Sequence, residues 1–416
     1  MRVTTDSPAA IDWQPEDPAT LADPYALFAR MRDEDPCHWS PRLRSWVVTR
    51  YDDVKAVCLR KTGVSSDRLR PFFESLPSME AERIGDIVRY LSLWMVFKDP
   101  PEHTRLRRLT GKVFSARAMQ GMRPQIETIA QDLLDGLAGR DQIDIVADFA
   151  GPLPCLAIMA LLGVPRSDLT KVKRLSDQIA LFIGSSRMPR DKYDTAQAAT
   201  QEMAAYFDHL LAKRRDQPQQ DAISELVNVR DGDDHFSNDE LIATCILMLF
   251  AGHETTTNHI ANGVASLMRF PQEMQRLRSD ASLATAAVEE LLRYDGPSGA
   301  QVRVVSEPLE LHGKTLAPGQ RIFLMLNAAN RDPRAYAEPD HLDITRDGLP
   351  HLAFGFGGHI CLGFPLARTE GAVAFPALLA RYHHIEPVGA APLWINSMVF
   401  RGMQALPVRV RRASKA

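Results

Sequence analysis

Apolar residues recur with a helical period through most of the middle of the chain, from about residue 100 to 300. Two segments there begin with a capping side chain that is followed three residues later by Glu, at Asp99 and at Ser237. The second opens an almost uninterrupted helical pattern up to Phe270, which Pro271 closes. At ~1.5 Å per residue this predicted helix is on the order of 50 Å long, enough to cross a whole domain.

Beyond about residue 300 the pattern changes to short apolar runs that are divided by glycine and proline. This pattern predicts strands over Val302–Val305, Leu309–Leu311 and Arg321–Leu326. A coil over Asn327–Gly358 and a helix from Cys361 to about residue 381 are expected to follow.

The N-terminal part is less regular. Residues 1–20 are polar, acidic and rich in proline, which predicts an extended arm. A helix is expected after Pro24, and residues 63–97 show no steady period and predict a long irregular segment. Because no repeat or low-complexity linker follows, we expect a mainly α protein with a smaller β-rich part (α+β), in a single catalytic domain over residues 21–416.

Composition narrows the class of protein. The 416 residues are 45% hydrophobic and 24% charged, and the net charge of -3 favours neither nucleic acid nor an anionic membrane as a partner. Five widely spaced cysteines form no CxxC pair, which predicts a reducing cytoplasm. The N-terminus lacks the apolar core of a signal peptide, and the apolar run Cys245–Ala251 is too short to span a bilayer. We therefore expect a soluble cytoplasmic protein.

The motif with the clearest chemistry is FGFGGHICLG, from Phe354 to Gly363. A cysteine that ligates haem iron must be a thiolate on a rigid loop whose backbone N–H groups point at the sulfur, and Cys361 is placed for this role. The glycines allow close backbone approach and positive φ, and the positive end of the following helix favours an anionic sulfur. The alternative is a glycine-rich turn around a buried free cysteine. A c-type haem is excluded because the chain has no CxxCH.

The middle of the long predicted helix reads AGHETT. Ala251 and Thr255 are four residues apart and share a face, where a small residue leaves room for a flat cofactor. Glu254 beside Thr255 places an acid and a hydroxyl where protons could be relayed. The alternative is a polar interruption in a surface helix. The zinc motif HExxH does not match, because its second histidine position holds Thr257.

Two weaker pairs carry chemistry only in combination with these motifs. Glu290 and Arg293 form an i,i+3 pair that is common on helix surfaces, and His103 and Arg107 form an i,i+4 pair that could hold two carboxylates. A basic stripe on the latter helix is either a solvated face or a docking surface for an acidic redox partner; it consists of Arg105, Arg108 and Lys112.

Taken together, these pieces resemble the cytochrome P450 superfamily of haem-thiolate monooxygenases in its soluble bacterial form, over about residues 24–410. The acid–alcohol pair matches Glu254 and Thr255, and the ExxR helix matches Glu290 and Arg293. The family's cysteine loop matches Phe354, Gly355, Gly357, His359, Cys361 and Gly363.

The resemblance implies the P450 fold, with haem b between the long central helix and the cysteine-loop helix and with Cys361 as the iron ligand. It places Ala251 against the cofactor and Phe354 on its proximal side. The expected propionate contacts are His103, Arg107, Arg303 and His359. One departure is His341, which stands where the family usually has an arginine that completes the ExxR network; the network is therefore expected to be looser or sensitive to pH.

The implied activity is an O2-dependent monooxygenase that hydroxylates or O/N-dealkylates a small, mainly hydrophobic or aromatic substrate. Electrons are expected from separate redox proteins, a ferredoxin and its reductase. Two alternatives remain: a peroxygenase that uses H2O2, and a non-catalytic haem-binding protein.

The family's substrate-pocket segments are mainly apolar in this chain, with Arg89 and Ser298 as polar candidates. The expected pocket residues are Leu93, Trp94, Val96, Phe97, Leu247, Met248, Pro297, Ser298, Ala300, Val399 and Phe400.

Overall fold

The protein is described from a computed structural model, which covers residues 11, 13–184 and 190–412. Helices dominate it. In chain order they are α1 Pro18–Ala22, α2 Tyr25–Glu34, α3 Tyr51–Leu59, α4 Arg70–Glu74, α5 Ser78–Arg83, α6 Gly85–Leu91, α7 Glu102–Val113, α8 Ala116–Gly121, α9 Arg123–Gly136, α10 Pro152–Leu162, α11 Leu169–Gly184, α12 Arg190–Asp216, α13 Ala222–Asn228, α14 Asn238–Arg269, α15 Pro271–Ser279, α16 Ala284–Asp295, α17 Leu326–Ala329 and α18 Phe364–Arg381.

The strands form a smaller part of the molecule, as the sequence predicts. They are β1 Cys37–Ser40, β2 Ser45–Val48, β3 Val64–Ser65, β4 Gln142–Asp144, β5 Ala300–Val305, β6 Leu309–Leu311, β7 Lys314–Leu316, β8 Arg321–Met325, β9 Tyr382–Pro387 and β10 Pro407–Arg412. The largest sheet has the order β1-β2-β8-β5-β3, and β2 runs parallel to β8. The expected α+β class is confirmed.

The long helix α14 is confirmed almost to the residue and forms the centre of the helical part. The Ser237 hydroxyl accepts a hydrogen bond from the backbone N–H of Glu240, and the Glu240 carboxylate accepts one from the backbone N–H of Ser237, so the predicted capping box is present. Gly252 lets α10 approach, because a Cβ there would lie 2.7 Å from the Ile158 side chain. Gly252 therefore serves helix packing, whereas α14 continues as regular α-helix through this position.

Three boundaries differ from the sequence prediction. Helix α7 begins at Glu102, and the Asp99 carboxylate does not cap it but accepts a hydrogen bond from the backbone N–H of Ser66 at 2.8 Å. The helix after the cysteine loop begins at Phe364 and not at Cys361. The segment 63–97 is not irregular throughout, since it contains β3 and α4–α6. Short helices escape a periodicity search because they offer fewer than two full turns.

The predicted N-terminal arm is only partly extended. Residues 1–10 and 12 lie outside the described part of the chain, but residues 18–22 form helix α1, which Asp17 caps, and Trp13 is buried. That residues 21–416 form one catalytic domain stays a prediction.

The stretch Ile145–Leu162 is apolar over a greater length than the run Cys245–Ala251. By length and mean hydropathy it is the one candidate membrane span among the described residues, and 67% of it is buried inside the protein. A buried core helix satisfies the same criteria, so this stretch is weak evidence for a membrane.

Candidate functional site

A cavity lies between α14 and the loop that precedes α18. It encloses about 1280 Å³ of empty space, including its open mouth. Residues on one face of α14 form one wall, and the cysteine loop forms the opposite wall. The structure brings these predicted residues together at the cavity: Val96, His103, Arg107, Leu247, Met248, Ala251, Thr255, Pro297, Ser298, Phe354, His359, Cys361 and Gly363.

The cysteine loop holds the Cys361 thiol at the cavity wall. Burial raises the pKa of this thiol, but the backbone N–H groups of Gly363 and Phe364 and the Arg107 guanidinium all lower it. The backbone N–H of Cys361 donates to the Phe354 carbonyl at 2.9 Å, which closes the loop. The net effect is a raised pKa, and the same backbone N–H groups would stabilise a thiolate if the sulfur bound a metal cation.

Two glycines of this loop are required by its geometry. Gly357 has φ +73°, and a Cβ there would lie 2.7 Å from the backbone oxygen of Cys58. Gly355 has φ +70° and a Cβ there would collide with the Gln301 amide. Gly358 and Gly363 do not have the positive φ that the sequence suggested, so any L-residue satisfies the backbone there.

Two arginines that have no carboxylate partner in the described part of the chain, Arg107 and Arg303, lie beside the two histidines His103 and His359. The rings of His103 and His359 are 3.9 Å apart, and burial together with the positive charges of His103, Arg303 and Arg107 lowers the pKa of His359 to about 3. Arg303 donates only to the carbonyl of Val302 and to Gln301, and within the described ranges neither Arg107 nor Arg303 has a carboxylate partner. A ligand with two carboxylates would relieve this repulsion.

Arg68 belongs to the same region and was missed by sequence analysis. Burial, with the nearby charges of Arg321 and Arg303, lowers its pKa to about 10, and its guanidinium lies 5.0 Å from the centre of the Phe97 ring. Ser66 is close by, with its hydroxyl 3.0 Å from Nε2 of His359. No sequence signal pointed to these residues, because they lie in a segment without a hydrophobic period.

Only one residue of the predicted acid–alcohol pair lines the cavity. Thr255 lines the cavity, and its hydroxyl donates to the Ala251 carbonyl at 3.2 Å. Glu254 lies about 100° further round the helix and faces His253 and Asp177. Burial raises the pKa of Glu254, an effect that Asp177 adds to and His253 opposes.

Four further polar residues line the cavity and were not predicted: Thr256, His259, Gln301 and Glu370. Glu370 on α18 is fully buried, and neither of its carboxylate oxygens has a hydrogen-bond partner among the described residues. Burial raises the pKa of Glu370 to about 8, although the nearby Thr256 hydroxyl lowers it. His259 lacks partners for both ring nitrogens, and burial lowers its pKa to about 3. The sequence did offer one signal for Glu370, because a glutamate in the otherwise apolar part of α18 is expected to be buried for a purpose.

The ExxR pair is buried and well formed, but its third member is not the expected one. Arg293 binds Glu290 through two hydrogen bonds of 2.6 and 2.8 Å and reaches three backbone carbonyls, including that of His341. The side chain of His341 does not join the network and packs edge-on against Phe270. Arg346 donates to Glu290 at 3.1 Å instead. The expectation of a looser, histidine-completed network is therefore wrong.

Several predicted pocket residues lie behind the cavity wall. Trp94 is buried and stacks on Phe97 and Phe250, and Ala300 is buried in β5. The remaining predicted pocket residues outside the lining are Leu93, Phe97, Val399 and Phe400. Arg89 is no polar anchor, because its guanidinium pairs with Asp239 at 2.7 and 2.8 Å on the exposed surface. Of the two polar candidates, Ser298 reaches the cavity.

The predicted basic stripe on α7 is neutralised. Its side chains pair with acidic residues on the loop before α14 and on the first turn of that helix; the pairs are Arg105 with Asp234 and Glu240, Arg108 with Asp231 and Asp234, and Lys112 with Asp231. This face offers little net charge for an acidic partner.

The cavity, its cysteine and its cations match one known family. The sequence profile described as Cytochrome P450 matches residues 36–398. The chain belongs to the cytochrome P450 family.

Named relatives agree with this assignment. Cytochrome P450 107B1 of Saccharopolyspora erythraea is 37% identical, covering 94% of this chain and 96% of the relative. Vitamin D(3) 25-hydroxylase of Pseudonocardia autotrophica is also 37% identical, covering 93% of each. The structure of P450BioI in complex with hexadec-9Z-enoic acid-ligated acyl carrier protein superposes with a TM-score of 0.86 at 33% identity, over 95% of this chain and 99% of that chain. This cytochrome P450 is accordingly an oxidoreductase of the monooxygenase type, and the predicted fold is confirmed.

Haem is the cofactor of the family, and the residues present fit it. The thiol of Cys361 lines the cavity, and Arg107, which also lines it, has no carboxylate partner among the described residues and would bind a propionate. Ala251 contributes a small side chain to the wall opposite the cysteine. Bacterial members of the family generally require redox partners, dioxygen and a small organic substrate.

Proposed function

We propose that this cytochrome P450 inserts one oxygen atom of O2 into a small hydrophobic or aromatic molecule, by hydroxylation or by O- or N-dealkylation. The observation that carries the proposal is the Cys361 thiol at the wall of a mainly apolar cavity, with the backbone N–H groups of Gly363 and Phe364 directed at the sulfur. When bound, haem would supply the capacity to activate dioxygen, and a thiolate ligand would favour O–O cleavage.

The chain's own residues would ligate the iron of the cofactor and bind its propionates. Cys361 is the proposed iron ligand, with Phe354, Gly355 and Gly363 shaping its loop. The proposed propionate contacts are His103, Arg107, Arg303 and His359. The two arginines would bind the carboxylates as cations, and the imidazole rings of the two histidines would donate hydrogen bonds. Glu290, Arg293 and Arg346 fix the backbone that leads to the loop.

Thr255 and Glu254 are the proposed proton donors. Thr255 lines the cavity, whereas Glu254 lies on a different face of the same helix turn, where burial raises its pKa. Transfer between them requires a bridging water or a rotation of the glutamate, because only Thr255 reaches the cavity.

An apolar lining supports the substrate class. Val96, Leu247, Met248 and Pro297 line the cavity, and Ser298 adds a hydroxyl that could orient a polar group. The named relatives include a vitamin D(3) 25-hydroxylase, and the similar P450BioI structure carries an acyl chain on a carrier protein. We further propose a ferredoxin and its reductase as electron donors and the cytoplasm as the compartment.

The test of ligation is the optical spectrum of the reduced protein with carbon monoxide. The wild type should give the Soret position that is diagnostic of thiolate-ligated haem. Cys361→Ala should lose this band, and the control Cys155→Ala, which removes a buried thiol remote from the loop, should keep it. An unchanged spectrum in Cys361→Ala contradicts the assignment of the ligand.

The test of proton delivery is coupling, measured as product formed per NAD(P)H consumed with any substrate that shifts the iron spin state. Thr255→Ala should divert electrons to peroxide and lower coupling, by about tenfold or more. The control Thr257→Ala alters a threonine on the same helix that does not line the cavity. Equal coupling in both variants would move the relay to other residues, and turnover with H2O2 alone would favour a peroxygenase.

A further inference from the structure

Three potential metal ligands meet outside the haem cavity. Asp177 on α11 and His253 and Glu254 on α14 bring one ligand atom each to within 4.8 Å of one another. None of the three is among the described residues that line the cavity.

His253 is prepared to act as a ligand. Its Nδ1 lies 2.9 Å from the Leu249 carbonyl, which accepts only from a protonated nitrogen, so Nδ1 carries the proton and Nε2 carries the lone pair. Nε2 is directed at Asp177 but stands 3.9 Å from its Oδ1, beyond hydrogen-bond distance. The side chain is 1% exposed, and Nε2 has no hydrogen-bond partner in the described structure. Metal-binding histidines are commonly held by such a backbone hydrogen bond.

Asp177 has one oxygen in use and one available. Lys173 binds Oδ2 at 2.7 Å and thereby orients the carboxylate, which leaves Oδ1 on the side of His253. The Asp177 side chain is 47% exposed, so the group of ligands is open to solvent on this side. An ion could therefore enter without passing through the haem cavity.

We propose that Asp177, His253 and Glu254 form a zinc site with one imidazole and two carboxylate ligands. One nitrogen and two oxygens suit Zn²⁺ better than Ca²⁺ or Mg²⁺, which prefer oxygen ligands alone. Zinc–ligand bonds of ~2.0–2.2 Å separate tetrahedral ligand atoms by about 3.3 Å, so modest side-chain rotations close the site. Water completes the coordination on the exposed side.

A zinc ion at this position would oppose catalysis. The consequence rests on the proposed function, because Glu254 is there a proton donor and zinc would hold its carboxylate as a ligand. Zinc should thus lower coupling and divert electrons to peroxide without changing the CO spectrum, since Cys361 is not involved.

The direct test is equilibrium dialysis of haem-loaded protein against ZnCl2, with elemental analysis of the zinc bound per haem. We expect one ion per chain with micromolar affinity. Asp177→Asn and His253→Gln should each weaken binding by on the order of tenfold or more. The control Glu202→Gln removes an exposed carboxylate from neighbouring α12 and should leave the affinity unchanged. Asp177→Asn alters a partly exposed side chain, so it keeps the test decisive if His253→Gln does not fold.

The outcomes separate the site from the proposed reaction. Absence of zinc binding, or equal affinity in Asp177→Asn and Glu202→Gln, overturns the site. Site-specific binding in a protein that turns over no substrate supports the zinc site and contradicts the monooxygenase proposal. Inhibition that shifts to higher zinc concentration in Asp177→Asn supports both.

Discussion

The buried carboxyl of Glu370 gives a quantitative prediction for stability. Burial raises its pKa to about 8, from a reference value of 4.5. Below pH 4.5 the group is protonated in both the folded and the unfolded chain, so it has no effect on the free energy of unfolding. Between pH 4.5 and about 8 the unfolded chain releases the proton and the folded chain keeps it, so stability falls as pH rises.

The size of the effect follows from the pKa change. At about 1.36 kcal/mol for each pH unit, the fully developed loss is about 5 kcal/mol near pH 8. Glu370→Gln keeps the shape of the side chain and removes the titration. The amide adds donors that lack a partner, but this cost is the same at every pH. The difference in stability between Glu370→Gln and wild type should therefore change by about 3 kcal/mol in favour of the variant between pH 5 and pH 7.

The assay is urea unfolding of both haem-loaded proteins from pH 5 to 8.5, followed by tryptophan fluorescence. Only the change of the difference with pH tests the prediction, because the two proteins share all other titrating groups. A difference that stays constant across this range would show that Glu370 is already ionised in the folded protein, and the reasoning from its burial would be refuted.

Three further predictions concern other parts of the structure. Burial raises the pKa of Glu289, but His351 and Arg368 lower it to about 2 overall. The contribution of Glu289 to the free energy of unfolding is therefore present above pH 4.5 and is lost as pH falls towards 2. The advantage in stability of wild type over Glu289→Gln should accordingly shrink in unfolding curves measured at acid pH. Arg346→Ala should lower the free energy of unfolding by about 1–3 kcal/mol in urea, and less than Arg293→Ala does; equal losses would contradict the peripheral place of Arg346. Gly357→Ala should impair haem retention because of its φ of +73° and the Cys58 backbone, whereas Gly358→Ala, which meets nothing within 4 Å, should match wild type in haem absorbance per protein.

The parts of the fold that the sequence predicts well are those whose geometry is determined by residues close together in the chain. The length of α14 follows from a capping box, a sustained period and a closing proline, all of which act within a few residues. The cysteine loop is equally local, since its glycines and Cys361 lie within ten residues. Both could be predicted because neighbouring residues determine their geometry.

The residues that sequence analysis missed depend on contacts between distant segments. Arg346 reaches Glu290 across 56 positions, and Arg68 meets Arg303 only because β3 pairs with β5. The same reason explains the misplaced pocket residues: Trp94 is apolar and close to the site in sequence, but its ring stacks on Phe250 and turns away from the cavity. The hydrophobic pattern predicts which side chains are buried, but it does not distinguish a side chain packed in the core from one that lines a cavity.

The pairing of β2 with β8 has a consequence for the nascent chain during synthesis on the ribosome. Ser45 lies opposite Arg321, so the N-terminal hairpin β1–β2 receives its parallel neighbour only after more than half of the chain has been made. At ribosomal rates of about 5–20 residues per second, the edge of β2 waits about 15–55 s without its partner. An unpaired strand edge is a template for association with other chains, so the nascent polypeptide is most exposed to aggregation or chaperone capture during this interval.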